Sequence, residues 1–153
     1  MVETLISKNE RCVTVSSLKG NTLGILEKLD PNDFGYAIRI TNNNDPVPLW
    51  EKCKTILLGV SSYQRSDATK PEFPNQLNKY RYALEKLQNK KIVLFGSGRT
   101  EYLMYCGVLD YLEDMLKEKN EVIMKYKFEG YPKESQKIEF ANKIKELIKA
   151  GVI

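Results

Sequence analysis

Residues 55–62 read "TILLGVSS", with five apolar or glycine positions in succession and none of the polar alternation of a strand that shows one face to water. Such a run suits a strand buried on both faces, as in a parallel sheet covered by helices on each side. "KIVLFGSG" (91–98) is a second run of the same kind. Three weaker strand candidates flank these two: "RCVTVSS" (11–17), "GYAIRIT" (35–41) and "EVIMKYKFEG" (121–130). Between them the apolar spacing turns helical. "NTLGILEKLD" (21–30) places Leu23, Leu26 and Leu29 near one face. The turn "NNNDPVP" (42–48) leads into a short helical piece at "LWEKC" (49–53). A helix over 75–89 carries Leu77, Tyr80, Leu84 and Leu87, and the next is striped by Val108, Leu109, Leu112, Met115 and Leu116. A last helix, 133–149, buries Phe140, Ala141, Ile144, Leu147 and Ile148. Five strands alternating with helices predict an α/β domain with a parallel sheet and helices on both faces, one domain over residues 1–153.

Composition narrows the function. Hydrophobic residues make up 42% and charged residues 29%, ordinary values for a water-soluble globular chain. No apolar run approaches the roughly 18–20 residues that span a bilayer. The start, "MVETLISKNERCV", is not a signal peptide, so a cytoplasmic protein with no membrane partner is expected. Cys12, Cys53 and Cys106 are far apart and odd in number, which gives neither a C-x-x-C pair nor a disulfide framework. The chain has no histidine. That removes imidazole metal sites, Ser-His-Asp and Cys-His machinery and the commonest general base. If the chain takes part in chemistry, a bound cofactor carries it. The net charge of +4 is spread among alternating lysines and glutamates, with no arginine-rich tract or zinc motif, so no nucleic-acid partner is expected.

In open parallel sheets, ligands sit beyond the carboxyl ends of the strands. The loops at 17–22, 42–47, 61–74 and 96–106 all begin there. In "SSLKGNT" (16–22), Gly20 lets the backbone reverse, while Ser17, Asn21 and Thr22 add groups able to bond phosphate oxygens. A following helix would aim unpaired amides at the same spot. The same residues also read as ordinary capping of a helix after a strand. Tyr63, just after a buried strand, reads by itself as a rim or core aromatic.

Three loops together resemble the flavodoxin family. Ser17-Leu18-Lys19-Gly20-Asn21-Thr22 is similar to its phosphate loop, Ser/Thr-x-Thr-Gly-Asn-Thr, except at Lys19. "ILLGVSSYQRSD" (56–67) resembles the strand end Leu-Gly-x-Ser-Thr-Trp-Gly-Asp, with Tyr63 for the tryptophan and Gln64 for the glycine. "LFGSGRTEYLMYCGVLDYLEDML" (94–116) resembles Phe-Gly-x-Gly-Asp-x-x-Tyr-x-x-Phe-Cys-Gly-Ala-x-Asp, with Arg99 for the aspartate and Tyr105 for the phenylalanine. "KFEGYP" (127–132) resembles the lead into the family's last helix, so the likeness runs over about residues 12–149 and suits the short-chain type.

The resemblance implies a three-layer α/β/α sandwich with a five-stranded parallel sheet in the order 2-1-3-4-5. It implies noncovalent FMN, with the phosphate in Ser17–Thr22 and Ser61 and Ser62 beside the flavin. Tyr63 and Tyr102 would cover the two ring faces. Gln64, Ser97, Gly98, Arg99, Tyr105 and Cys106 would belong to the FMN site as well, with Gly96 and Gly98 allowing close backbone approach to the ring edge. Gln64, where the family has a flexible glycine, is expected to weaken stabilisation of the one-electron-reduced flavin. Lys19, Arg65 and Arg99 make the site more positive than the family norm, which should raise the potential of the fully reduced anion.

The implied function is electron transfer by a monomer, from a flavodoxin or ferredoxin reductase to a redox enzyme. Two other readings stand beside it: a flavodoxin-like activator of a manganese-dependent ribonucleotide reductase, and a flavodoxin-fold binding module without FMN. An NAD(P)H-using flavin reductase is disfavoured because no G-x-G-x-x-G opens a helix after the first strand. For partner docking, Asp110, Glu113 and Asp114 offer an acidic rim, and Arg65, Lys70 and Arg99 a basic one.

Overall fold

The computed structural model describes residues 7–17, 20–41, 43–61, 75–98 and 106–153. Its strands are β1 (Arg11–Ser16), β2 (Tyr36–Arg39), β3 (Thr55–Val60), β4 (Lys91–Gly98) and β5 (Glu121–Glu129). All neighbours pair parallel, in the order β2-β1-β3-β4-β5. The helices are α1 (Asn21–Gly24), α2 (Val47–Lys52), α3 (Asn75–Asn78), α4 (Arg81–Lys86), α5 (Gly107–Leu116) and α6 (Glu134–Lys149).

The two apolar runs become the centre of the sheet. Every residue of β3 is buried, as is every residue of β4 after Lys91. Successive side chains point to opposite faces. Cys12, Ile56, Leu58, Val60, Ile92 and Leu94 therefore join one core, closed by Trp50, Leu77, Leu84 and the α5 leucines. Val13, Val15, Leu57, Val93 and Phe95 join the other, closed by Ile25 and by Phe140 and Ile144 of α6. Each aliphatic side chain so buried contributes roughly 1.5–3 kcal/mol relative to exposure. Within the first core Trp50 Nε1 donates to Thr14 Oγ1 at 3.0 Å. Cys12 and Cys53 are core residues, and burial pushes both thiols up.

Two helices are shorter than their spacing predicts. The stretch 21–30 is α-helical only over Asn21–Gly24, then tightens to a 3₁₀ turn over Ile25–Lys28. It ends because Asp30 precedes Pro31, and a residue before proline avoids the helical region. Asp30 instead accepts the amide of Asn32 at 2.9 Å, capping the next turn. The predicted helix over 75–89 breaks into α3 and α4 at Lys79–Tyr80. Tyr80 has φ −106° and ψ 10° there, its hydroxyl donating to the Thr41 carbonyl at 3.0 Å and its ring edge-on to Trp50. Leu77, Tyr80, Leu84 and Leu87 are all buried nonetheless, because the turn keeps them on one face.

Candidate functional site

Strands β1, β3 and β4 end side by side, and each ends in hydroxyl residues. Ser61 N donates to the Ser16 carbonyl at 3.1 Å, carrying the ladder one step beyond the strand. Ser61 Oγ donates to Ser17 Oγ at 3.3 Å. Thr22, one residue into α1, drops its side chain between the strand ends. Its Oγ1 lies 2.6 Å from Ser61 Oγ and 3.1 Å from Ser97 Oγ, and accepts the Ser97 amide at 3.3 Å. Ser17, Thr22, Ser61 and Ser97 are all at most 4% exposed. A hydroxyl has one donor and two acceptor sites, so these three contacts use all that Thr22 has. Ser16 Oγ, also buried, has no hydrogen-bond partner among the described residues.

Gly20 explains why the turn needs glycine. Its φ is +82°, left-handed, and no atom of the described residues lies within 4 Å of where a Cβ would stand, so conformation and not crowding by them requires it. Its carbonyl accepts the Gly24 amide at 3.1 Å. Gly20 and Asn21 are half-buried, at the rim of the hydroxyl cluster. The helix they open has a single α-turn, which leaves little macrodipole to aim at a ligand.

The structure reassigns the glycines of "FGSG". A Cβ on Gly96 would stand 2.0 Å from the Val60 carbonyl oxygen and 3.4 Å from Leu109 Cδ1. That glycine serves the packing of β4 against β3 and α5. A Cβ on Gly98 would meet Cys106 Sγ at 2.9 Å and its amide nitrogen at 3.0 Å. Gly98 thus makes room for Cys106, which has φ +50° at the start of α5. The Cys106 thiol is buried, 3.7 Å from the Gly96 carbonyl and 3.8 Å from that of Phe128. It belongs to the core formed with Val60, Leu94 and the α5 leucines.

Of the site residues predicted from sequence, Ser17, Gly20, Asn21, Thr22 and Ser61 come together with Ser97, while Gly98 and Cys106 lie against each other. Leu18, Lys19, Ser62, Tyr63, Gln64, Arg65, Lys70, Arg99, Tyr102 and Tyr105 lie outside the described residues. The acidic rim is compensated from within. Lys125 Nζ lies 2.6 Å from Asp110 and 3.0 Å from Glu113, and Lys127 Nζ lies 2.8 Å from Asp110. Partial burial pushes the Asp110 carboxyl up, but the hydrogen bonds from Lys125 and Lys127 outweigh it and leave the group below its ordinary value. Asp114 is paired with Lys117 at 3.0 Å.

One residue was missed in the sequence. Arg39, the last of β2, pairs with Val15 in register and donates from Nη2 to the carbonyl of Ser17. No motif carries it; alternation along β2 marks it only as an exposed strand end.

Several solved structures share this architecture. Oxidised flavodoxin 2 from Bacillus cereus superimposes with a TM-score of 0.74 at 21% identity, over 92% of this chain and 98% of that one. The flavodoxin of Streptococcus pneumoniae TIGR4 gives 0.73 at 16% identity, over 92% and 98%. Oxidised flavodoxin 1 from Bacillus cereus gives 0.71 at 20% identity, over 91% and 97%. The chain has the flavodoxin fold. No protein-family model matches the sequence, and no curated protein does. The five-strand order and the helices on both faces agree with the fold expected from the three loops. Among the described residues of this flavodoxin-fold chain, no helix is long and apolar enough to cross a membrane, and no His, Cys, Asp or Glu group is arranged to hold a metal.

Proposed function

We propose that the chain is an FMN-binding electron-transfer protein. The observation that carries this reading is the convergence of the ends of β1, β3 and β4 on one buried hydroxyl cluster beside a left-handed glycine turn. That is where a flavodoxin fold takes its ligand, and where the three matching loops begin. A phosphate ester requires several N–H and O–H donors and tolerance of charge. The Gly20–Asn21 turn, the Asn21 side chain and the Ser17–Ser61 hydroxyls fit that requirement.

FMN would supply the redox chemistry, which suits a chain without histidine. The chain's own work is to bind and orient. Ser17, Gly20 and Asn21 would hold the phosphate, and the floor of Thr22, Ser61 and Ser97 would keep the strand ends fixed beneath the ligand. Tyr63 and Tyr102 would cover the ring faces, each good stacking pair giving roughly 0.5–1.5 kcal/mol beyond the area it buries. A reductase would be the electron donor and a redox enzyme the acceptor.

Titration of the purified chain with FMN, followed by flavin fluorescence and absorbance, tests the first half. One equivalent bound, with quenched fluorescence and a shifted visible band, is expected. Failure to bind under excess FMN would leave a flavodoxin-fold binding module in its place. The second half is read by reducing the loaded protein and mixing it with a one-electron acceptor. A flavin that binds but exchanges no electrons in that mixture overturns the carrier role.

A further inference from the structure

The connection from β5 to α6 places an exposed ring beside α1. Gly130 N donates to the Gly98 carbonyl at 3.1 Å, carrying the β4–β5 pairing one step further, and its φ of +58° then turns the chain. Tyr131 follows, with its ring against the backbone of Gly24. A Cβ on Gly24 would stand 2.6 Å from the ring's Cε2, 2.8 Å from Cζ and 3.1 Å from Oη. Lys137, one turn into α6, holds the ring there. Its Nζ donates to Tyr131 Oη at 3.1 Å and sits 4.7 Å from the ring centroid. The same Nζ lies 2.5 Å from Glu27, three residues beyond Gly24. Lys28 meets Glu134 at 3.0 Å alongside. Gly24 N in turn donates to the Gly20 carbonyl at 3.1 Å, the hydrogen bond that closes the left-handed turn into α1.

We infer that Tyr131 is a positioning residue for the Gly20 turn: its ring, fixed by Lys137, presses on Gly24 and keeps the Gly20–Gly24 hydrogen bond closed. For ligand binding this rests on the proposed seating of the FMN phosphate at that turn. Helix α1 has a single α-turn, and so short a helix does not persist unless something packs against it. Thr22 anchors its inner side through Ser61 and Ser97, and Tyr131 its outer side. A turn already ordered in the free protein binds more tightly, because the ligand need not order it. Tyr131 is 57% exposed, so its removal opens no cavity in the core, and a change in binding is not a by-product of unfolding.

The test is a cycle of Tyr131→Ala and Gly24→Ala, with Tyr131→Phe as the conservative variant. Gly24 has φ −58° and ψ −30°, which alanine adopts without strain. In the parent the new methyl would strike the ring, so Gly24→Ala should weaken FMN binding. With the ring gone its three nearest neighbours are gone too, and the helix preference of alanine should strengthen binding instead. Dissociation constants for FMN and for riboflavin, which lacks the phosphate, are measured for each variant by fluorescence titration. Tyr131→Ala should lose about fivefold for FMN and nothing for riboflavin, while Tyr131→Phe, which keeps the ring, should stay near the parent. Parent-like FMN affinity in Tyr131→Ala overturns the inference. So does an equal loss of both flavins, or a Gly24→Ala effect of one sign in both backgrounds.

A second arm needs no flavin. Amide hydrogen exchange in the flavin-free proteins reads the Gly24 N–H directly. Relative to Leu57 in the buried strand β3, the Gly24 amide should exchange about tenfold faster in Tyr131→Ala than in the parent. If the parent binds neither flavin yet shows this change, the FMN reading fails and the positioning role of Tyr131 stands. An unchanged ratio overturns that role.

Discussion

Gly59 sits in the middle of the buried run "TILLGVSS", opposite Phe95 in the register of β3 and β4. The Phe95 ring occupies the space a side chain at Gly59 would need. A Cβ there would stand 2.4, 2.5 and 3.1 Å from three ring carbons, against the 3.5–4.0 Å at which carbons rest. Gly59→Ala must therefore move the ring by about 1 Å or more. The ring has little room, since it is fully buried and its centroid is 5.2 Å from that of Phe140. Overpacking of this kind costs about 1–3 kcal/mol, and the lower chain entropy of alanine returns less than 1. A net loss of about 2 kcal/mol is expected.

The decisive form of the experiment is a double-mutant cycle. Phe95→Leu alone leaves a partial cavity at the cost of about 1.5 kcal/mol, below the range for deleting the whole ring. In Gly59→Ala/Phe95→Leu the new methyl takes up part of the vacated space. The double variant should then be destabilised by about 2 kcal/mol and not by the sum of about 3.5, a coupling of about −1.5 kcal/mol. Urea unfolding measures it, with the fluorescence of the sole tryptophan, Trp50, fully buried on the opposite face of the sheet, and far-UV circular dichroism as a second probe. Additivity within about 0.5 kcal/mol would refute the argument, because it would mean that the ring does not fill the space over Gly59.

Two further outcomes follow from the polar contacts. Asp110→Asn removes the charge, and one of the two oxygens, that Lys125 and Lys127 pair with and should cost about 0.5 kcal/mol at neutral pH, a small figure because the carboxylate is 46% exposed. A carboxyl held below its ordinary value stabilises the fold above the unfolded pKa of about 3.9 and loses that effect as pH falls through the lower folded value. The stability gap between parent and Asp110→Asn should therefore be constant from pH 5 to 7 and close in stronger acid; a gap that widens on acidification contradicts the pairing. Thr22→Val removes the centre of the hydroxyl cluster and leaves Ser61 and Ser97 short of a buried partner, which should cost about 1–3 kcal/mol in flavin-free protein. Thr22→Ser should lose much less; equal loss in the two would mean that the methyl and not the hydroxyl matters, and thermal melts of the three proteins decide it.

The strands were legible because burial on both faces leaves a plain mark on composition, and the order of the sheet came with the likeness of the three loops. The helices were less so. Apolar spacing records which side chains face the core, and Leu77, Tyr80, Leu84 and Leu87 do; it does not record that Tyr80, tied to the Thr41 carbonyl, breaks the backbone between them. The same holds for Leu23 and Leu26, whose spacing serves a 3₁₀ turn as well as a helix. In the candidate site, Gly20 was readable because a left-handed turn demands glycine. Gly96 and Gly98 were readable as glycines but not in purpose, since what crowds them, the Val60 carbonyl and Cys106, comes from elsewhere in the chain. Arg39 left no mark at all. Its role depends on which strand lies beside β1, and that is a property of the sheet, not of the residues around it.

The hydroxyl cluster also limits what the turn can offer a ligand. For Thr22 to face a phosphate it would have to give up three contacts between 2.6 and 3.3 Å, two of them to hydroxyls that would then need new partners. A neutral hydrogen bond nets about 1 kcal/mol in water, so exchanging three buried ones for a single bond to phosphate is a loss even allowing for the charge. Binding strength should accordingly reside in Gly20 and Asn21, and fold strength in Thr22, Ser61 and Ser97. The two sets are adjacent in the chain yet separable by mutation: Thr22→Val should lower the melting temperature while leaving FMN affinity within about threefold of the parent, and Asn21→Ala should do the reverse.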